Sequence, residues 1–213
     1  MTSPQPSTVV LGVRHGEVHN PRGVIYAGLP GYGLSEAGRA QGAALAHGLS
    51  GHRVAAVYCS PLERAVQTAE FLSGLCDAPM VTDDRLIEWK YWSEWGGLTW
   101  EELRERKGDE FAAYLEDPGS LTRGETIEVL ADRVQDWLDE VRGAHAGGLV
   151  IGVSHLEPLR AILVRLTGGP WAGMGRILIP PGQAVRLQPD PSPQPAPPGH
   201  LISPETGGLP HLR

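Results

Sequence analysis

Four short stretches of this chain hold the residue types that handle phosphate: Arg14-His15-Gly16-Glu17, Ser60-Pro61-Leu62-Glu63-Arg64, Glu88, and Ser154-His155. A phosphoryl group carries negative charge on its peripheral oxygens, so stabilising it requires fixed cations and directed N–H donors. The guanidinium forks of Arg14 and Arg64 each suit two such oxygens. A helix beginning at Ser60 adds backbone N–H groups and a favourable dipole. His15 and His155 supply imidazoles, and a neutral imidazole near pH 7 is a competent nucleophile toward phosphorus. The alcohol that departs needs a proton, which a nearby carboxylic acid can supply.

These stretches need elements that bring them together. Residues 8–13 form a β-branched, apolar run that reads as a strand, as do 54–59 and 149–153, and a further strand is expected within 80–86. The run 149–153 is apolar on both faces, as a central parallel strand would be. Residues 14–34 read as a long loop rich in Gly and Pro, and such loops are usually functional. Ser35 can cap a helix reaching about residue 49. Ser60 is expected to cap a second, with Pro61 in its first turn, Glu63 completing a capping box, and Leu62, Ala65, Val66, Ala69 and Leu72 on the buried face. Ile127, Leu130, Val134, Leu138 and Val141 mark one face of a helix over 126–143. Another helix is expected from near Pro158, and two short strands around 177–179 and 184–187.

Alternating strands and helices predict the α/β class: a three-layer α/β/α domain with a mostly parallel central sheet. Ligands in such folds bind beyond the carboxyl ends of the strands, where the four stretches fall. Residues 88–121 are irregular and aromatic, and read as a cap. Trp89, Tyr91, Trp92, Trp95 and Trp100 would pack it and narrow the pocket beneath. Arg22, Tyr26 and Tyr32 could border the pocket mouth or be plain loop residues. The domain is expected to span 1–187. Residues 188–213 read as a flexible tail, because eight of the last 25 residues are proline.

Composition narrows the partners. The chain has 213 residues, 41% hydrophobic and 20% charged, which is enough for one globular domain with a sizeable core. A formal net charge of −7 argues against nucleic acid as a partner. No apolar run reaches the length of a membrane span, and residues 1–8 do not read as a secretory signal. Cys59 and Cys76 read as buried free thiols, so a cytoplasmic location is expected. His15 and His19 are spaced as a helical metal pair would be, but they lie in a loop with no accompanying ligand set, so no metal is expected. His47, His52 and His145 read as surface residues at helix ends. A small phosphorylated molecule is the expected partner, and the pattern holds no signal for oligomeric state.

The run Leu11-Gly12-Val13-Arg14-His15-Gly16-Glu17 resembles the signature of the histidine phosphatase superfamily, also called phosphoglycerate mutase-like. Four more pieces match in order: 60–69, Leu86-Ile87-Glu88, Gly124-Glu125-Thr126 and Val153-Ser154-His155. The resemblance covers roughly residues 8 to 187. It implies that His15 is the nucleophile and becomes a phosphohistidine. It implies that Arg14, Arg64 and His155 hold the phosphoryl oxygens, and that Glu88 donates a proton to the leaving group and then helps activate water. Glu17, Asp83, Asp84 and Glu94 are the other carboxylates considered for that acid. A protonated Glu88 would need its pKa raised by burial or neighbouring carboxylates. No metal or organic cofactor is implied.

The chain departs from the family pattern at two points. Leu156 stands where a glycine often follows the second histidine; its backbone N–H is still available for phosphate. Pro21 stands where many members have asparagine, with Asn20 one residue earlier as the substitute phosphate ligand. The expected activity is a metal-independent phosphomonoesterase. The alternatives are a mutase, for which the adjacent arginine pair and proline run are missing between 96 and 123, and a phospho-ligand-binding protein without turnover.

Overall fold

The computed structural model describes residues 7–188; the proline-rich segment read as a tail lies outside them from 189 onward. Five strands form one sheet: β1 (Val9–Arg14), β2 (Val54–Cys59), β3 (Met80–Thr82), β4 (Leu149–Ser154) and β5 (Ala184–Arg186). Their order is β3-β2-β4-β1-β5, so the doubly apolar β4 lies at the centre. β1 to β4 run parallel, and β5 closes one edge antiparallel to β1. Arg14 pairs with Ser154 in the β1–β4 register. That register sets His15 and His155 side by side, each one residue past its strand.

Alternating side chains of the strands feed two cores. Leu11, Val13, Ile151 and Val153 pack with α1 (Glu36–Leu49) and α2 (Glu63–Cys76) on one face. Val10 and Val150 pack with α4 (Ile127–Ala144) and α5 (Leu156–Thr167) on the other. This is the expected three-layer arrangement with a mostly parallel sheet. Ser35 and Thr126 cap α1 and α4, their hydroxyls accepting from the backbone N–H of Gly38 and Val129. The cap over the sheet contains α3 (Trp100–Glu116), opened by a capping box between Thr99 and Glu102 and bent at Lys107.

Several local expectations meet a different outcome. Helix α2 begins at Glu63, and Ser60 is not its cap: the hydroxyl of Ser60 is 2.8 Å from Nε2 of His155. Leu62 and Val66 are only half-buried on α2, whereas Arg64 and Thr68 join its buried face. Residues 177–179 are not a strand: the carbonyls of Ile177 and Ile179 accept instead from the side chains of Arg160 and Arg14, both at 2.8 Å. Helix α5 starts at Leu156, near Pro158 as expected, and its first turn tolerates the proline because its N–H groups have no helical partner. Cys59 is buried, Cys76 is half-buried, and both are free.

Candidate active site

The first loop starts with a constraint. Gly16 passes so close to α1 that a Cβ there would meet the carbonyl oxygen of Gly38 at 2.5 Å. Its N–H donates to the hydroxyl of Thr68 on α2. The turn after His15 is therefore fixed to two helices, and the imidazole is held with it.

His15 is 2% exposed, His155 0% and Arg64 1%. The two imidazole centroids are 5.1 Å apart. Nδ1 of His15 is 2.8 Å from the carbonyl oxygen of Gly16. A carbonyl only accepts, so Nδ1 bears the hydrogen and Nε2 keeps its lone pair. Nε of Arg64 donates to that same Nε2 at 3.3 Å. Arg64 is anchored by a second donor on the carbonyl of Ala27 at 2.6 Å and lies over the ring of Tyr26. Arg14 comes from the strand end, with one guanidinium nitrogen on the carbonyl of Ile179.

Burial and the two arginines hold His15 well below the usual imidazole pKa, with the Gly16 hydrogen bond opposing them. Burial, then Arg64 and the neighbouring His15, do the same to His155. Both imidazoles are neutral at pH 7, so the lone pair on Nε2 of His15 is available.

Glu88 lies across a cleft that also takes in Arg14 and His15, with a volume of about 390 Å³. Burial, followed by the charge of Glu157, raises its pKa to about 7, against the opposing Trp89 N–H, Arg64 and Arg14. The other carboxylates considered are engaged elsewhere. Glu17 accepts from the hydroxyl of Ser35, Asp83 is paired with Arg85, and Glu94 faces Lys107 and Arg123. Asp84 is exposed, and among the described residues none of these four lines the cleft.

The segment bearing Glu88 is tied down from both sides. The hydroxyl of Ser154, at the end of β4, donates to the carbonyl of Leu86 at 2.7 Å. Arg133 of α4 donates to the carbonyls of Arg85 and Glu88. Arg133 is in turn paired with Glu125 at 2.7 Å. Glu125 also takes the N–H of Lys90 on its carboxylate and the indole N–H of Trp89 on its carbonyl. The Gly124-Glu125-Thr126 element thus acts as a clamp on the acid segment, a role its sequence alone did not disclose.

Asn20 and Leu156 both line the cleft. Both amide atoms of Asn20 are bonded to the backbone of Val24, closing a turn of the first loop. Tyr26 borders the histidines and stacks on Tyr32, while Arg22 is exposed. Sequence reasoning missed a buried cluster beside Glu88. Glu157 is 2% exposed and accepts from the hydroxyl of Tyr114 and from Arg160, each at 3.0 Å. A carboxylate two residues after the second histidine, at the start of an apolar helix, was the available signal. The aromatic segment divides as expected between packing and pocket: Trp89 and Trp95 are fully buried, whereas Trp92 and Trp100 line the cleft. Among the described residues no group of three or more His, Cys, Asp or Glu could hold a metal, and no helix is long and apolar enough to cross a membrane.

The mostly parallel sheet thus presents two buried imidazoles and the guanidinium of Arg14 at its strand ends, with the guanidinium of Arg64 beside them from the first turn of α2. The chain belongs to the histidine phosphatase superfamily (branch 1), whose family model matches residues 10–194, and it is an enzyme of the phosphatase kind. It is 35% identical over 159 residues to phosphoserine phosphatase 1 of Hydrogenobacter thermophilus, covering 73% of this chain and 74% of that one. It is 35% identical over 174 residues to the metal-independent phosphoserine phosphatase of Arabidopsis thaliana, covering 78% and 71%. Among solved structures, Bacillus stearothermophilus YhfR superposes with a TM-score of 0.77 at 25% identity, covering 84% of this chain and 89% of that one.

Proposed function

We propose that the protein is a metal-independent phosphomonoesterase that works through a phosphohistidine on His15. The observation that carries this is the state of His15 Nε2: unprotonated, faced by Arg64, and set in the same cleft as a carboxyl group that stays partly protonated at neutral pH.

The phosphoryl oxygens take the places offered by Arg14, Arg64 and His155, with the N–H of Leu156 at the start of α5 as a further donor, while the amide of Asn20 is spent on Val24 and only shapes the loop. The Arg64–Nε2 bond is long at 3.3 Å, so exchanging it for a phosphoryl oxygen costs little. Nε2 attacks phosphorus, the P–O bond to the leaving group breaks, and Glu88 gives its proton to the departing oxygen. Glu88, now a carboxylate, takes a proton from a water whose oxygen attacks the same phosphorus. The P–N bond breaks, its electron pair returns to Nε2, and inorganic phosphate leaves. The fixed cations are aimed at charge that develops on the equatorial oxygens, where stabilisation lowers the barrier most.

The relatives named for phosphoserine support a small phosphomonoester as substrate. The test is phosphate release from p-nitrophenyl phosphate with EDTA present, comparing wild type with His15→Ala. Turnover in wild type that is lost in the variant is expected. EDTA-sensitive turnover that persists in His15→Ala would refute the reading.

A further inference from the structure

Besides Arg14, His15 and Glu88, the cleft is lined by residues of a different character. Trp100, Arg104, Phe111 and Leu115 of α3 all line it. Their spacings of about four, seven and four residues place them on one face of the helix despite the bend at Lys107. Trp92 and Leu156 add further apolar surface. Trp100 is 43% exposed and Leu115 54%, so large apolar side chains are left open to water on a cavity wall rather than scattered over the surface.

Apart from Arg104, the polar groups of that wall are already engaged. The amide of Asn20 is on Val24, the hydroxyl of Tyr114 is on Glu157, and Arg160 is shared between Glu157 and the carbonyl of Ile177. Trp92 Nε1 and Glu157 Oε2 have no partner among the described residues, but both are sealed from water and out of reach of a ligand hydroxyl. Arg104 forms no ion pair among the described residues, and it is exposed, so it keeps its hydration. A leaving group rich in hydroxyls or bearing an ammonium would lose water here and find few groups to replace it. An aromatic ring or comparable hydrocarbon would cover Trp100, Phe111 and Leu115 and leave no polar atom unpaired.

Resting on the phosphatase reading above, we infer that the cleft selects phosphomonoesters with a large apolar leaving group over those of small polyols and amino acids. The α3 face provides that selectivity. Leu156, at the start of α5, contributes further apolar surface beside it.

The test is binding of two non-hydrolysable phosphonates by titration calorimetry, 2-phenylethylphosphonate and 2-hydroxyethylphosphonate, to wild type, Trp100→Ala and Leu115→Ala. Wild type is expected to favour the phenyl ligand by about tenfold or more, the scale on which a hydrophobic pocket discriminates. Both variants are expected to shrink that preference, and the exposure of both side chains keeps the core intact. Equal affinities, a reversed order or no binding of the phenyl ligand would overturn the inference, as would a preference that both variants leave intact. Calorimetry reads binding alone, so this outcome is separate from that of the His15→Ala assay. Preference without turnover would refute the phosphatase reading and leave the inference standing, and turnover without preference would do the reverse.

Discussion

Arg64 donates a hydrogen bond to Nε2 of His15, so one guanidinium both engages that lone pair and keeps a proton from settling on it. In the proposed reaction it also takes phosphoryl charge. Arg64→Met is expected to lower kcat by about 10²- to 10³-fold, the usual loss for one oxyanion-stabilising donor. It should also raise the pKa of His15, since Arg64 is the leading charge that depresses it. An NMR titration of the His15 ring checks the second effect apart from activity.

In the proposed reaction Glu88 sets the alkaline side of the pH profile. Its pKa is raised to about 7, so the proton the leaving group needs is lost as pH rises through that value. kcat/KM is expected to fall above about pH 7, and Glu88→Gln should lower the rate and remove that limb.

Glu157 acts on the acid through space and is a positioning residue. Its charge is the second cause, after burial, of the raised Glu88 pKa. Glu157→Gln should move the alkaline limb to lower pH, because Glu88 then ionises more easily. A pH–rate profile with an unmoved limb would contradict this assignment.

Acid should weaken the fold through the histidines. His15 and His155 have folded pKa values well below 6.5, so between those values and 6.5 the unfolded chain binds more protons. Their contribution is complete above pH 6.5 and is lost as pH falls through the depressed values. Glu88 has the opposite sign: its raised pKa stabilises below 4.5 and is lost as pH rises through about 7. Urea unfolding of Glu88→Gln should therefore isolate the histidines. Between pH 7 and 5 its stability is expected to fall by at most about 1.4 kcal/mol per pH unit for each imidazole.

Breaking the clamp should loosen the acid segment. Glu125 and Arg133 form a largely buried pair that holds the backbone of residues 85–90. Glu125→Ala leaves Arg133 uncompensated and is expected to cost about 3 kcal/mol. It should reduce kcat more than phosphate affinity, because Arg14, Arg64 and His155 stay on their own elements. Urea unfolding and inhibition by inorganic phosphate check the two parts.

The strands and the groups at their ends were legible because each is a compact apolar run followed by the residues of interest. The convergence of Arg14, His15, Arg64, Glu88 and His155 follows from the parallel sheet. What was not legible depends on distant contacts. The capping pattern at Ser60 is locally sound, yet its hydroxyl serves His155, 95 positions away. The spaced isoleucines of 177–179 read as a strand, but arginine side chains take their carbonyls. Helix α3 is dense in charged residues through its first half and bends at Lys107, so its periodicity is weak. Its cleft-facing side is visible only once the cap has packed.

The central claim is that His15 itself accepts the phosphoryl group. Rapid quench of wild type with excess phosphomonoester in EDTA, followed by peptide mass spectrometry under alkaline conditions that preserve phosphohistidine, tests it directly. The account predicts a phosphoryl adduct on His15 at early times, stronger in Glu88→Gln if the second step slows, and absent from His15→Ala. Turnover in wild type with no adduct at any time, or an adduct on another residue, would contradict it.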